Sequence, residues 1–177
     1  MSETAAKHKA EAPKSLKFAI IVCSSSRYKK LKSNERVDDP SGDLIAQFLQ
    51  EKGHAVTLRV LVPDDQFLIK QSIKKALKSE EVEAIITCGG TGISPTDITI
   101  ETVQPLLEKE IQGFGEILRK ISHEEIGSAA ILTRAIAGVS KGKAIFCIPG
   151  SPQAVSIALE RLILPETGHI IKHAREK

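Results

Sequence analysis

Apolar residues along this chain fall into short continuous runs and longer spaced stripes, in alternation. FAIIVC (18–23), AIIT (84–87) and KAIFCI (143–148) are continuous, as strands buried on both faces of a sheet must be. HAVTLRVLV (54–62) alternates and is rich in β-branched residues, so it predicts a strand with one wetter face. AIAGV (135–139) predicts another, joined to 143–148 by a turn at Lys141-Gly142. The stripes lie between. Leu44, Ile45, Phe48 and Leu49 share one face of a helix over 41–52, and Gly53 stops it. A second helix begins near Pro63-Asp64-Asp65 and carries Ile69, Ile73, Ala76 and Leu77. A mainly helical stretch covers roughly 98–121, where Pro105 begins or kinks a helix and Gly113 and Gly115 break it. Ser151 as N-cap and Pro152 at the first helical position open a helix with apolar face Val155, Ala158, Leu159 and Leu162. A short helix ends the chain.

Strands that alternate with amphipathic helices imply a three-layer α/β fold, a mostly parallel sheet with helices on both faces. The hairpin near the end adds one antiparallel strand. Residues 1–16 are polar and charged, with almost no bulky apolar groups, and are expected to form a flexible N-terminal extension. Glu3 and Glu11 interrupt its basic residues, unlike a transit peptide. The folded unit is expected to be one α/β domain over 17–177.

Composition narrows the function. Of the 177 residues, 41% are hydrophobic but only 3% aromatic, with no Trp, so the core is aliphatic. Stacking platforms for single-stranded nucleic acid are scarce, and a net charge of +3 is too small to hold a polyanion by itself. No nucleic acid is therefore expected as partner. No apolar stretch approaches the roughly 20 residues that span a bilayer, so no membrane is expected either. Cys23, Cys88 and Cys147 each end an apolar run and form no C-x-x-C pair. They read as small buried hydrophobes of a protein in the reducing cytoplasm.

Ligands of open α/β sheets bind beyond the carboxyl ends of the strands, so chemistry is sought there. The first strand runs into Cys23-Ser24-Ser25-Ser26-Arg27. The third runs into Thr87-Cys88-Gly89-Gly90-Thr91-Gly92, and the late one into Pro149-Gly150-Ser151-Pro152. Consecutive glycines let the backbone approach a ligand and turn its N–H groups onto an anion. Asp97 follows in Ser94-Pro95-Thr96-Asp97-Ile98-Thr99. A carboxylate beside a phosphate cradle suggests a Mg²⁺ between them; a helix cap accounts for it equally well. Asp64 and Asp65 likewise fit helix capping. The stretch 27–36 (RYKKLKSNER) holds five basic residues and one acidic one; it reads as a solvated loop or as an attractor of phosphate. His169 and His173 have i, i+4 spacing but no evident further ligands, so a helix-dipole role is the simpler reading.

Together these residues resemble a known signature. Thr87-x-Gly89-Gly90-Thr91-Gly92 with Asp97-x-Thr99, then Gly113-Phe114-Gly115-Glu116 and Pro149-Gly150-Ser151, resembles the molybdopterin-binding, molybdenum-cofactor biosynthesis family. Asp39-x-Ser41-Gly42 and Pro63-Asp64-Asp65 are similar to family positions upstream, so the likeness spans about 18–165. The resemblance implies a molybdopterin-binding α/β domain, a homo-oligomer (a trimer or dimer of trimers), and adenylyl transfer from Mg-ATP to molybdopterin with release of pyrophosphate. It implies Asp64 and Asp97 as the functional aspartates, with Asp97 toward Mg²⁺. It implies Gly89, Gly90, Thr91, Gly92, Thr99, Ser25, Ser41, Gly42, Pro149, Gly150 and Ser151 as substrate-binding positions. Many relatives carry an acidic residue where this chain has Ser25. A non-catalytic molybdopterin-binding or scaffold protein of the same fold is the alternative.

Overall fold

The structure, a computed structural model, describes Pro13 and residues 15–176. Of the expected N-terminal extension, all but Pro13, Ser15 and Leu16 lies outside these residues. The order of elements is β1 (Lys17–Cys23), α1 (Ser25–Lys32), α2 (Pro40–Glu51), β2 (Ala55–Val62), α3 (Gln66–Lys78), β3 (Ala84–Cys88), α4 (Thr99–Val103), β4 (Lys109–Glu110), α5 (Gln112–Ile126), β5 (Ile136–Ser140), β6 (Lys143–Ile148), α6 (Pro152–Ala158) and α7 (Leu164–Arg175). Short 3-10 turns cover Gln104–Leu106 and Gly127–Leu132.

The strands form one sheet in the order β2-β1-β3-β6-β5-β4. β2, β1, β3 and β6 run parallel; β5 runs antiparallel to both β6 and β4. The expected single antiparallel strand is thus β5. Its hairpin turns at Lys141 (φ 52°) and Gly142 (φ 68°), a two-residue connection whose twist matches that of the strands. Along β1, Phe18, Ile20 and Val22 pack on one face with Ile45, Leu118 and Val155, while Ala19, Ile21 and Cys23 pack on the other with Ile69 and Ile73. Strands covered on both faces must read as unbroken apolar runs, and β2 alternates because it is an edge. The stripes of α2 and α3 are buried at Ile45 and Leu49, and at Ile69, Ile73, Ala76 and Leu77. All three cysteines are buried free thiols, and burial pushes each pKa up to about 12.

Three expectations need correction. The stretch read as a basic loop begins as helix α1, capped by the Ser24 side chain; its apolar stripe is absent because none of its residues is buried. The stretch 98–121 is mainly helical, but its break falls at Leu107–Ile111, where β4 pairs with β5. Gly113 and Gly115 do not break a helix but sit in the first turn of α5. The last helix is not separate, because α6 passes through a π-helical turn (Leu159–Ile163) into α7. Pro165 lacks the N–H and crowds the carbonyl one turn back, and the wider turn accommodates both effects.

Leu16, expected in the extension, is buried in the core, and its N–H donates to Nδ1 of His54 (3.2 Å). Burial lowers the His54 pKa below the ordinary imidazole value. The native state thus favours neutral His54, while the unfolded chain protonates it near pH 6.5. The unfolded state binds more protons in the window just below that pH, so stability is full above it and falls as the pH drops through it. We expect the urea midpoint to decline from pH ~7.5 to ~5.5 less steeply in His54→Asn than in the wild type, by parallel denaturation curves.

Candidate functional site

The strand carboxyl ends gather the site. β1 is flanked by β2 on one side and β3 on the other, so the loops after β1 and β3 diverge at the switch point of the sheet. Gly89 takes φ +98° and Gly90 φ +62°, backbone conformations that favour glycine. The Gly89 N–H donates to the Ile148 carbonyl (3.1 Å), and a Cβ on Gly150 would lie 3.1 Å from the Gly89 Cα. The β3 and β6 loops therefore pack backbone to backbone. Ser41, fully buried in the first turn of α2, donates its hydroxyl to the Gly150 carbonyl (2.7 Å) and pins the second loop.

A cavity of about 350 Å³ opens where these loops meet α5 and α6. Gly89, Gly90, Thr91 and Gly92 form one wall with Asp97; Pro149, Gly150 and Ser151 form another. Asp97 Oδ2 accepts from the Ser94 N–H (2.9 Å), which closes the turn between them. It does not cap α4, whose N-cap position is Ile98. Ser151 does cap α6, accepting from the Ala154 N–H (3.3 Å).

Asp64 lies behind the glycine loop and is not part of the cavity wall. Its Oδ2 accepts from both the N–H (2.9 Å) and the hydroxyl (2.7 Å) of Ser25, and its own N–H donates back to Ser25 Oγ (2.9 Å). The capping role falls to Asp65, which accepts from the Leu68 N–H (2.9 Å). Asp64 Oδ1 and Thr99 Oγ1 are buried without a hydrogen-bond partner. A Cβ on Gly90 would approach both, lying 2.7 Å from Asp64 Oδ1. Two orphaned oxygens thus converge under the loop. Gly42 does not line the cavity: a side chain there would strike the Asp39 carboxylate, which caps α2 and pairs with Arg59 (2.7 Å).

The far wall was not foreseen. Ser122, Glu125, Ile126 and Ala129 come from α5 and the turn after it, Leu132 and Thr133 from the segment before β5, and Gln153 from α6. Their helical spacing in sequence signals only an amphipathic helix. His169 and His173 lie on α7, outside this cavity, with their Nε2 atoms 3.0 Å apart and each Nδ1 beside a glutamate. Among the described residues no cluster of three metal-ligating side chains occurs, and no helix is long and apolar enough to cross a membrane.

An open α/β sheet with a glycine-lined cavity at the carboxyl ends of β3 and β6 defines a protein that takes its ligand beyond the strand ends. The family described as "Probable molybdopterin binding domain" matches residues 19–169, and the chain belongs to it. The chain is 45% identical to Molybdenum cofactor biosynthesis protein B of Bacillus cereus over 164 residues, 92% of this chain and 93% of that protein. To Molybdopterin adenylyltransferase of Pyrococcus furiosus it is 44% identical over 173 residues, 96% and 97% of the two chains. The crystal structure of tungsten cofactor synthesizing protein MoaB from Pyrococcus furiosus superposes with a TM-score of 0.81 at 41% identity, covering 93% of this chain and 100% of that one.

Proposed function

We propose that this protein adenylylates molybdopterin in molybdenum-cofactor biosynthesis, using Mg-ATP and releasing pyrophosphate. The observation that carries this reading is the cavity itself, which faces a glycine loop with Asp97 and continues into the Pro149–Ser151 loop. Relatives of near-full-length similarity bear the transferase name.

A phosphate oxygen of molybdopterin attacks the α-phosphorus of ATP. The bond from that phosphorus to the bridging oxygen breaks, and pyrophosphate departs. Little covalent work falls to the protein, so positioning and charge neutralisation dominate. The backbone N–H groups of Gly90–Gly92 hold phosphate oxygens, and the loop at Pro149–Ser151 holds the pterin end. Ile126, Leu132 and Ile157 give the cavity an apolar side. The donors present fit Mg²⁺: all are hard oxygens, led by the Asp97 carboxylate, with the orphaned Asp64 Oδ1 and Thr99 Oγ1 close behind Gly90. Bound there, the ion supplies neutralisation of phosphate charge. Ser25 holds Asp64 so that its Oδ1 lies under Gly90.

We place the enzyme in the cytoplasm as a homo-oligomer, a trimer or dimer of trimers. Ile93 (70% exposed), Ile131 (83%) and Leu132 (56%) support self-association, because a lone subunit leaves them in water. Light scattering is expected to return about three or six times the subunit mass; a monomer would refute this.

A single-turnover reaction with purified protein, molybdopterin, ATP and Mg²⁺ tests the activity, with chromatography for adenylylated molybdopterin. Product formation supports the transferase. Tight molybdopterin binding without product would move the protein to the binding class, and Ser25 would become the first position to change.

A further inference from the structure

We propose that Arg134 is a positioning residue for adenylyl transfer, a staple that holds both ends of the segment bearing Asp97; this rests on the transferase reading above. Arg134 stands between the 3-10 turn Gly127–Leu132 and β5. Its Nη1 donates to the carbonyl of Gly92 (2.7 Å), and its Nη2 pairs with the carboxylate of Glu101 in the first turn of α4. Gly92 closes the glycine loop. Glu101 lies just beyond the Ser94–Asp97 turn. One guanidinium therefore grips the chain before and after Asp97.

The brace continues inward. Asp97 Oδ2 sits so close to Gly92 that a Cβ there would lie 2.7 Å from it, and the same oxygen accepts from the Ser94 N–H. The order of contact is Arg134 to Gly92 to Asp97. Arg134 itself is absent from the cavity wall, although its neighbours Leu132 and Thr133 line it. It therefore acts through the loop and not by touching the ligand. The Arg134 hydrogen bond also holds the Glu101 carboxyl below its ordinary pKa, so the pair stays charged at neutral pH. A fork of two N–H groups serving two acceptors is a task for arginine; a lysine ammonium is a single point on a flexible stem and cannot hold both in that geometry.

Full-length Arg134→Ala, Arg134→Lys and Glu101→Gln proteins test this with molybdopterin and Mg-ATP. Misplacing Asp97 is expected to lower kcat roughly 10- to 100-fold in Arg134→Ala while KM for ATP moves less than about threefold. Arg134→Lys should fall between, and free guanidinium ion should restore part of the Arg134→Ala rate. Glu101→Gln keeps the Gly92 bond and should lose less than about fivefold. Hydrogen exchange in the ligand-free proteins should be faster at residues 92–97 in Arg134→Ala than in the wild type. Unchanged kcat, a rise in KM alone, or identical exchange at 92–97 would overturn the proposal. A wild type that makes no product would instead sink the transferase reading, and the exchange comparison would still decide the role of Arg134.

Discussion

Asp97→Asn is expected to fold as the wild type does and to form adenylylated molybdopterin about 10² to 10³ times more slowly. The side chains have the same shape. An asparagine oxygen can still accept the Ser94 N–H that Asp97 Oδ2 accepts at 2.9 Å, so the turn survives. What is lost is the negative charge that Asp97 adds to the glycine-loop wall of the cavity. That rate loss corresponds to about 3 to 4 kcal/mol of transition-state stabilisation, the size expected when one electrostatic contact to a reacting phosphate disappears. The residual activity should require more Mg²⁺ for half-saturation, because one hard oxygen ligand has been weakened. Unfolding curves that overlay, beside single-turnover rates that do not, would separate this role from turn formation. An Asp97→Asn protein with the wild-type rate and the wild-type Mg²⁺ requirement would leave Asp97 as a structural residue only.

Much of this arrangement is legible in the sequence because burial on two faces leaves a plain mark. β1, β3 and β6 are continuous apolar runs, and the loops that follow β3 and β6 carry glycines or Pro-Gly where a ligand can approach. β4 leaves no such mark. It is two exposed charged residues, Lys109 and Glu110, and it forms because the β5 edge offers backbone partners, as in the Ile111 N–H bond to the Ala137 carbonyl (2.7 Å). α1 is likewise silent, since a helix with no buried residue has no apolar period. Gly115 misled in the opposite direction: glycine weakens helices in general, yet here a side chain would lie 2.6 Å from the Ala135 carbonyl, so glycine is what lets α5 pack against β5. In the site, the glycine loop, Asp97 and Pro149–Ser151 could be placed at strand ends, and they do meet in one cavity. The same logic put Asp64 beside them, but its bonds to Ser25 hold it behind the loop. The wall from Ser122 to Thr133 was hidden because its pattern is that of any amphipathic helix. Arg134 was hidden for a different reason: its principal contact is with a backbone carbonyl, which no residue identity records.

Gly89→Ala is expected to cost about 3 kcal/mol or more of stability and to abolish turnover. At φ +98° an L side chain is strained whatever the space around it. The space is also taken, because the new Cβ would collide with the Cys23 carbonyl oxygen, a backbone atom at the end of β1. Backbone cannot rotate aside as a long side chain can. Relief would have to come from separating the β1 and β3 ends, and β1 is the strand on which every other pairing on that side of the sheet depends. The Gly89 N–H bond to Ile148 and the close approach of Gly150 would be disturbed together, which opens the cavity floor. For a chain of this size the loss lowers Tm by roughly 6 to 12 °C. Gly113→Ala is the matched control. It lies in α5 with nothing near its would-be Cβ, so the same substitution should stabilise by about 0.5 to 1 kcal/mol through helix propensity. Thermal melts of the two variants should therefore shift in opposite directions. Equal shifts would mean that the conformation and crowding at Gly89 are not what the loop depends on, and that its glycines serve the ligand alone.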